Sequence, residues 1–460
     1  MGGKRYLRAD FLRKFESMKI PQALIDSIKN IKGFDEEAFV QAHEQGEIPT
    51  AIRLNPFKIS TKRFIETKTT ATAITNIPFS DYGKYVKNPL NFNTDPLFHA
   101  GVYTVQEANS MSSEHVLKNT VDLSKDLRIL DLCASPNGKN THIASLITPE
   151  SILVSNEVIS TRSDILADNM TKLGKMNTIV TSNDPKDFGK LTGFFDVVII
   201  DPPNSGSGLF RKNPEAMKDW SLENVELFAQ RQKRIIADAW ACLKDGGILI
   251  YSTSSYSPSE NEEVIDWVCQ KYGAIKVLEE GSIRLYPSEK GEGFFISALK
   301  KNNSEKEIYV RSGRPIKNNS RRTQREVFRT WIKDIDNYNW YEIKEEFFLI
   351  NSEHEYLVKL LESYLHIRKA GVKMGKIAGK DLIPDHQLAL SSYLSENINR
   401  VELTEEKAMK YLRKEDFTLN KAQKGWSLMT FENFGLGWAK ILSNRINNYY
   451  PKELKVGGKG

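Results

Sequence analysis

Three acidic residues each follow a short apolar segment in the middle of the chain, and the first chemical hypothesis rests on them. Glu157 closes segment 152–157, Asp184 closes 178–184 and Asp201 closes 195–201. If these segments are strands of one parallel sheet, the three carboxylates lie along its carboxyl edge, where α/β sheets bind ligands. An acid at the second strand end can accept both hydroxyls of a ribose, and one at the third can lie near an adenine amino group. The set indicates an adenosine-type ligand.

A glycine-containing loop lies between the first apolar segment and a helix start, and it is the candidate backbone cradle for that ligand. The loop lets backbone N–H groups approach a ligand closely, although an ordinary strand-to-helix turn would look the same. It matches neither GxGxxG nor GxxxxGK(S/T). Since the dinucleotide fingerprint is missing, S-adenosylmethionine (SAM) fits better than a dinucleotide. The loop consists of Ala134, Ser135, Pro136, Asn137, Gly138 and Lys139.

The elements that must position these residues alternate between strand-like and helix-like patterns from about 125 to 300. Such alternation predicts a doubly wound α/β sheet of buried parallel strands. For the helix at 260–272, Ser259 and Glu262 are typical of a capping box. The predicted strands are 128–133, 152–157, 178–184, 195–201, 247–254 and 293–300, and the predicted helices are 162–173 (ending before Gly174), 222–244 and 260–272.

The composition argues against a membrane protein, a secreted protein and a zinc protein. The chain has 460 residues, 40% of them hydrophobic and 27% charged, which suits a globular protein of about three domains. No run of 18 apolar residues predicts a membrane span, and the first residues lack the apolar core of a secretory signal. The three cysteines, Cys133, Cys242 and Cys269, have no metal-ligand spacing, which argues against a disulfide framework or a zinc site and favours the cytoplasm. A net charge of +6 permits nucleic-acid binding.

Basic residues concentrate outside the predicted sheet. The stretch 300–325 carries nine Lys/Arg against two acids, and it is either a solvated connector or a contact for an RNA backbone. A helix is predicted at 355–369, stopped by Gly371. Two groups interleave basic and aromatic residues, as single-stranded RNA sites do, although core packing is the alternative for the second. These groups are Phe210-Arg211-Lys212 and Arg445, Tyr449, Tyr450 and Lys452.

Several motifs resemble the Nol/Nop/Sun family of RNA cytosine-5 methyltransferases, in its ribosomal-RNA branch. They are DLCASPNGKNTHIA, FDVVIIDPPNSGSGLFRKNP, ILIYSTSSY and KGEGFF, preceded by IRLNP and GVYTVQEANSM and followed by GVKMGKIAGKDLIPDHQLAL and FGLGWAKILSNRINNYYPKEL. The resemblance implies a SAM-methyltransferase (Rossmann-like) sheet, with ribosomal RNA as partner and a monomer favoured. The implied units are an N-terminal α+β RNA-binding unit (1–120), the methyltransferase domain (121–300), a basic linker (301–325), a small α+β domain (326–390) and a PUA-like RNA-binding domain (391–460).

The resemblance also implies site residues. SAM would be held by residues 134–139 with Glu157, Arg162, Asp184 and Asp201. Family members attack C6 of the cytosine with a cysteine thiolate, and a second cysteine assists product release. The matching positions here are Ser254 and Asn204, beside Asp201 and Pro203, so both thiols are absent.

A serine hydroxyl is a weak nucleophile unless a base activates it, and the sequence shows no base near Ser254 beyond His142 as a remote candidate. Cys133 is predicted inside the first strand, and Cys242 and Cys269 on helices, so none replaces the missing thiols. The sequence therefore predicts that covalent cytosine-5 methylation is lost or crippled, while SAM and RNA binding remain. It leaves open whether the thiols were lost naturally or removed.

Two other functions stay open. One is a catalytically silent RNA-binding or ribosome-assembly protein on the same fold. The other is methylation of an exocyclic amine, because Asp201-Pro202-Pro203-Asn204 resembles the D/N-P-P-Y/F/W loop of amino-methyltransferases. That loop normally ends in an aromatic residue that stacks on the base, and Asn204 is not aromatic.

Overall fold

The structure is a computed structural model, and it describes residues 20–44, 50–68, 74–87, 91–136, 138–288, 290–302, 320–419 and 422–457. Asn137 of the predicted cofactor loop and residues 303–319 of the predicted basic linker lie outside the described residues. Among the helices described, none is long and apolar enough to cross a membrane.

The N-terminal unit combines five helices with a small antiparallel sheet among its described residues. The sheet has strand order β2-β3-β1-β4, and the strand β4 leads through a short turn into helix α5 at the border of the next unit. Its elements are α1 (Gln22–Ile28), α2 (Glu36–Glu44), β1 (Thr50–Leu54), α3 (Thr61–Lys68), β2 (Ile74–Asn76), β3 (Gly83–Val86), α4 (Pro96–His99), β4 (Tyr103–Val105) and α5 (Ser112–Thr120).

The central unit is a doubly wound α/β sheet, as expected. Strands β5 to β9 run parallel in the order β9-β8-β5-β6-β7. Side chains alternate between two cores: Leu130, Val154 and Val198 face one, and Ile129, Leu153 and Val197 face the other. The elements are β5 (Arg128–Asp131), α6 (Lys139–Ala144), β6 (Ile152–Asn156), α7 (Ser160–Leu173), β7 (Thr178–Thr181), α8 (Pro185–Phe188), β8 (Phe195–Ile200), α9 (Ala216–Asp219), α10 (Leu222–Ala239), β9 (Leu243–Thr253), α11 (Glu262–Tyr272), β10 (Ile275–Lys276), β11 (Ile283–Leu285) and β12 (Phe294–Lys300).

Four details of this sheet differ from the expectation. The sixth predicted strand, β12, pairs antiparallel with β9, and its burial on both faces makes it as apolar as a parallel strand. Strand β9 begins at Leu243, and α10 ends at Ala239 in a 3₁₀ turn. The predicted capping box is wrong: Asn261 is the N-cap of α11, and Ser259 lies in the preceding 3₁₀ turn.

The C-terminal region contains two further sheets, ordered β13-β14-β16-β17 and β18-β19-β20-β21. One of its strands, β15, instead pairs antiparallel with β7 and extends the central sheet. The elements are α12 (Ser320–Trp331), β13 (Tyr338–Ile343), β14 (Glu346–Asn351), α13 (His354–Glu362), β15 (Ile367–Ala370), β16 (Val372–Ala378), β17 (Asp381–Pro384), α14 (His386–Leu390), β18 (Arg400–Glu402), α15 (Glu405–Leu412), β19 (Gly425–Phe431), β20 (Phe434–Ile441) and β21 (Ile446–Asn448).

The helix predicted at 355–369 is therefore wrong in its second half. Helix α13 ends at Glu362, and β15 follows. Pairing with β7 overrides the local helical pattern, since Ser182 N–H donates to the carbonyl of His366 at 3.0 Å.

The end of helix α7 joins all three units. Asn55 Nδ2 from the N-terminal unit donates to the carbonyls of Gly101 (3.0 Å) and Leu173 (3.2 Å). Gly174 ends the helix with φ +81°, and a Cβ there would lie 2.5 Å from the carbonyl oxygen of Leu390. Glycine thus allows the C-terminal region to pack directly on the helix end, and the crevice beside β6 and β7 is held from both sides.

Candidate active site

Lys139 of the predicted cofactor loop and the strand-end residue Asp201 meet at the carboxyl edge of the central sheet. The ammonium group of Lys139, at the start of α6, forms a close ion pair with the Asp201 carboxylate. The hydroxyl of Ser252 lies 3.3 Å from Asp201 Oδ1, and Lys139 Nζ lies 5.1 Å from the ring centre of Phe294. The ends of β5, β8, β9 and β12 thus contribute to one site.

The predicted cofactor loop is held by its backbone. Ala134 N–H donates to the carbonyl of Asn156 at 2.8 Å, and the carbonyl of Pro136 accepts from Asn169 Nδ2 at 3.0 Å. Gly138 has φ +93°, and a Cβ there would lie 3.1 Å from the carbonyl oxygen of Val105 in β4. A left-handed conformation and this close approach both favour glycine. The N-terminal unit therefore forms one wall of the loop.

Glu157 lies at the carboxyl end of β6, where the sequence predicts a ribose acceptor. It follows β6 with 6% of its surface exposed. Its Oε1 accepts from Ile159 N–H at 3.0 Å, and its Oε2 accepts from Arg162 Nε at 3.1 Å. A carboxylate offers about four lone-pair positions, so acceptor capacity remains for ligand hydroxyls. The half-exposed side chain of Val158 adds an apolar surface beside it.

Asp184 has a structural task of its own. Its side chain is exposed, and Oδ1 accepts from Lys186 N–H at 3.1 Å, which caps α8. The cap alone explains an aspartate at this position. A contact with adenine stays a prediction.

Asp131 and Asn140 lie near the loop and were missed by the sequence reasoning. Asp131 is 3% exposed and its Oδ2 accepts from Asn140 Nδ2 at 2.6 Å, but among the residues that the structure describes Asp131 Oδ1 and Asn140 Oδ1 have no hydrogen-bond partner. Burial, reinforced by Asp201, raises the pKa of Asp131 to about 7. Asp131 lines a small cavity together with Lys139, Asp201 and Ser252. Unsatisfied buried acceptors call for a donor, so the site fits the ammonium-bearing end of SAM.

The loops that carry positions 204 and 254 pack against each other. A Cβ on Gly208 would lie 2.6 Å from Ser254 Cβ, so glycine allows the loop after Asn204 to lie on Ser254. Asn204 Oδ1 accepts from Gly206 N–H at 3.1 Å. Ser254 is partly exposed, and within the part of the chain that the structure describes its hydroxyl makes no hydrogen bond.

Comparison with known protein families matches most of the chain. Residues 118–300 match the family described as 16S rRNA methyltransferase RsmB/F, residues 20–108 the N-terminal domain of 16S rRNA methyltransferase RsmF, and residues 398–455 the methyltransferase RsmF PUA domain. The chain belongs to the RsmB/RsmF family of SAM-dependent rRNA methyltransferases. The resemblance drawn from the motifs and the predicted fold class are confirmed.

Individual relatives agree with this family. The chain is 29% identical over 451 residues to the ribosomal RNA small subunit methyltransferase F of Escherichia fergusonii, covering 90% of this chain and 92% of that one. The protein of the same name from Shewanella piezotolerans is 29% identical over 441 residues, covering 88% and 90%. A solved methyltransferase homolog from Pyrococcus horikoshii superposes with a TM-score of 0.54 at 25% identity, covering 64% of this chain and 99% of that one.

For a chain of the RsmB/RsmF family, a base that could activate Ser254 is the decisive question. His142 is 2% exposed; its Nε2 lies 2.9 Å from Glu114 Oε2 and its Nδ1 lies 3.1 Å from Gln106 Nε2. Burial lowers the pKa of His142 to about 4, so the ring is neutral and both nitrogens are engaged. His142 therefore belongs to a buried network with Glu114 and Gln106 that borders the small cavity beside Asp131 and Lys139, and its low pKa makes it a weak base.

The three cysteines do not replace the family's thiols. Cys133 lies two residues beyond β5 and not inside it, and burial raises its pKa well above the ordinary value. Cys242 lies in the 3₁₀ turn after α10 and not on an α-helix, and burial raises its pKa to about 12. Cys269 lies on α11, as predicted, but is only partly buried; desolvation raises its pKa as well. Thiolates are the reactive form, so raised pKa values argue against all three.

Two remaining expectations concern the Pro-Pro loop and RNA contacts. The carbonyl of Pro203 accepts from Gln232 Nε2 at 3.1 Å, which leaves one of its two acceptor positions for an exocyclic amine. Phe210 and Arg211 are 0% and 2% exposed, so they stabilise the loop interior and do not offer a surface to RNA. Arg211 Nη1 donates to the carbonyl of Ser288 at 2.8 Å.

The two C-terminal tyrosines, Tyr449 and Tyr450, differ in their exposure. Tyr450 is 3% exposed and belongs to the core, whereas Tyr449 is 45% exposed and packs on Trp426 with ring centres 4.5 Å apart. Only Tyr449 keeps a surface for stacking. Within the described ranges, no group of His, Cys, Asp and Glu could hold a metal ion.

Proposed function

We propose that this chain binds SAM and ribosomal RNA as its family does, but does not carry out covalent cytosine-5 methylation. One observation supports the proposal: the loops around positions 204 and 254 are well ordered by hydrogen bonds, but the side chains at these two positions cannot supply the nucleophile and the release group of cytosine-5 methylation. Ser254 has no partnering base within the described residues, and Asn204 is engaged with the backbone of Gly206. The consequence is an RNA-binding protein of the ribosome-assembly type on a methyltransferase fold.

The residues present fit the cofactor. Glu157 would hold the ribose, and the backbone of residues 134–136 and 138–139 would line the methionine portion. Asp131 Oδ1, which has no hydrogen-bond partner within the described residues, would accept from the ammonium group of SAM. When bound, SAM supplies an electrophilic methyl group. Arg162 supports this arrangement by orienting Glu157 through the 3.1 Å ion pair.

The missing step is the activation of the base. Carbon 5 of cytosine becomes nucleophilic only after a nucleophile adds to C6 and temporarily saturates the ring. A cysteine does this because a few per cent of it is thiolate near pH 7, whereas a serine needs an adjacent base to remove its proton. Lys139 is held by Asp201 as a cation, so it is not that base.

Methylation of an exocyclic amine has less support. The carbonyl of Pro203 accepts from Gln232 and the carboxylate of Asp201 pairs with Lys139, so each keeps only part of its acceptor capacity for an amine. The fourth residue of the loop, Asn204, also offers no aromatic face for stacking.

The test is methyl transfer from labelled SAM to small-subunit rRNA. The natural chain is compared with the double variant Asn204→Cys/Ser254→Cys, and Ser259→Cys on the neighbouring turn controls for an added thiol. We expect the natural chain and the control to bind SAM in calorimetry without transferring methyl groups. The double variant should gain transfer by on the order of 10³-fold, as restoring a catalytic group does.

Two results would contradict the proposal. Equal, robust transfer by the natural chain and the double variant would show that no thiol is needed. Failure of the natural chain to bind SAM would contradict the proposed cofactor binding. Only the proposed RNA binding would then remain.

A further inference from the structure

The residue after each of the two cysteine positions is a serine, and both serines bind the same carboxylate. Ser205 donates to Glu260 twice, from N–H to Oε1 at 2.8 Å and from Oγ to Oε2 at 2.6 Å. Ser255 donates from Oγ to Glu260 Oε2 at 2.5 Å. One side chain thus connects the loop of Asn204 with the loop of Ser254.

Glu260 reaches both loops from the 3₁₀ turn between β9 and α11, with 0% of its surface exposed. Gln232 of α10 donates from Nε2 to Glu260 Oε1 at 3.0 Å and to the carbonyl of Pro203 at 3.1 Å. Pro203 and Ser205, the neighbours of Asn204 on either side, are therefore both fixed. The sequence reasoning missed this because it placed Glu260 in a helix.

The neighbours of Ser254 are fixed in a parallel way. Thr253 Oγ1 donates to Asn261 Oδ1 at 2.5 Å, and Asn261 Nδ2 donates to the carbonyl of Ser255 at 2.8 Å. Asn261 is the residue after Glu260 and is also 0% exposed. The flanks of both cysteine positions therefore depend on the dipeptide Glu260-Asn261.

We propose that Glu260 is a positioning residue that fixes the separation of positions 204 and 254. A buried carboxylate is costly unless donors compensate for lost water, and Glu260 has four: Ser205 N–H, Ser205 Oγ, Ser255 Oγ and Gln232 Nε2. Three of the four donors belong to the two loops. A core residue that only filled space would not need a carboxyl group at this point.

The inference rests on the proposed function for the meaning of positions 204 and 254, but its first test does not depend on activity. Hydrogen–deuterium exchange is measured over the segment 202–207 in Glu260→Gln and in the control Glu263→Gln, an exposed residue of the next helix. Glutamine keeps the size but loses one acceptor and the charge. We expect Ser205 N–H to exchange about tenfold faster than in the control, because a hydrogen bond to a charged acceptor is lost.

A second variant keeps the test valid if Glu260→Gln does not fold. Ser255→Ala removes one donor from the other loop and leaves the carboxylate in place. If Glu260 couples the loops, exchange in 202–207 rises severalfold although nothing in that segment was changed. Unchanged exchange in 202–207 in either variant would overturn the inference.

Comparing the effects on kcat and on KM distinguishes a positioning role of Glu260 from a general effect on stability. In the background Asn204→Cys/Ser254→Cys, adding Glu260→Gln should lower kcat about tenfold while the KM for SAM stays unchanged, and adding Glu263→Gln should change neither. An unchanged kcat would overturn the inference. A double-cysteine chain that does not methylate counts against the proposed function only, and the exchange result then decides the role of Glu260.

Discussion

The two sides of the crevice differ in how much of their hydrogen-bonding capacity the protein itself uses. On the proposed cofactor side, Glu157 keeps acceptor positions and Asp131 Oδ1 has no partner among the described residues. On the proposed target-base side, Ser205, Ser255 and Glu260 hydrogen-bond to one another. In our proposal the first side receives a ligand, and the second positions two side chains that are not thiols. Binding and chemistry therefore depend on separate residues in this chain.

The largest effect is expected when a single thiol is restored, because this tests whether the loops at positions 204 and 254 keep the geometry for covalent attack. Ser254→Cys alone should form a covalent adduct with small-subunit rRNA, because the thiol can attack C6 while position 204 still lacks the group that assists release. We expect on the order of 100-fold more adduct than for the natural chain on a denaturing gel. Asn204→Cys alone is the control and should give none. Absence of an adduct with Ser254→Cys would mean that the frame has not kept its geometry.

The cofactor side can be tested at Glu157. Glu157→Ala should weaken SAM binding by about 10- to 100-fold in calorimetry, because hydrogen bonds to a charged acceptor are lost. Asp164→Asn on the following helix α7, an exposed residue paired with Arg368, is the matched control. Equal affinities for the two variants would show that Glu157 does not contact the ligand.

The buried acid beneath the loop predicts a pH dependence of stability. Aspartate in the unfolded chain loses its proton near its ordinary pKa of 3.8, whereas burial raises the pKa of folded Asp131 to about 7. The folded state binds more protons between these values, so this group's contribution to stability falls as pH rises from 4 to 7. Relative to Asp131→Asn, the unfolding free energy of the natural chain should drop by about 2–3 kcal/mol between pH 5 and 8.

Chemical denaturation at the two pH values measures this difference. Other titrating groups, such as Asp168, occur in both chains and cancel in the comparison. A difference that does not change with pH would mean that Asp131 is ionised in the folded protein.

The smallest effect is expected at Asp184. Asp184→Asn should change SAM affinity less than about threefold, because the carboxylate is exposed and asparagine caps a helix as well as aspartate does. The same calorimetry as for Glu157 measures it. A tenfold loss would instead support the adenine contact predicted from the strand-end pattern.

The sequence predicted those features that depend on local pattern. Strand ends at Glu157 and Asp201, the loop of Gly138 and the stop at Gly174 follow from burial, periodicity and glycine geometry, and the structure places them accordingly. Strand direction was not predictable for β12, since its two faces are buried whichever way it runs.

Contacts between segments that are distant in the chain could not be predicted from the sequence, because they too depend on the tertiary fold. Glu260 lies 55 residues from Ser205, and only the fold brings the two side chains to 2.6 Å. The buried state of Arg211 and Tyr450 likewise depends on what packs over them. The absence of thiols at positions 204 and 254, by contrast, could be predicted without the fold, because the surrounding motifs identify these positions by resemblance to the family.

The antiparallel strand β15 has a consequence for synthesis. It comes from beyond residue 366 yet borders β7 in the central sheet. Until the ribosome has passed Ala370, the nascent methyltransferase sheet presents β7 as an open edge, which is prone to pair with foreign strands. An excised catalytic fragment ending near residue 300 would carry that open edge permanently.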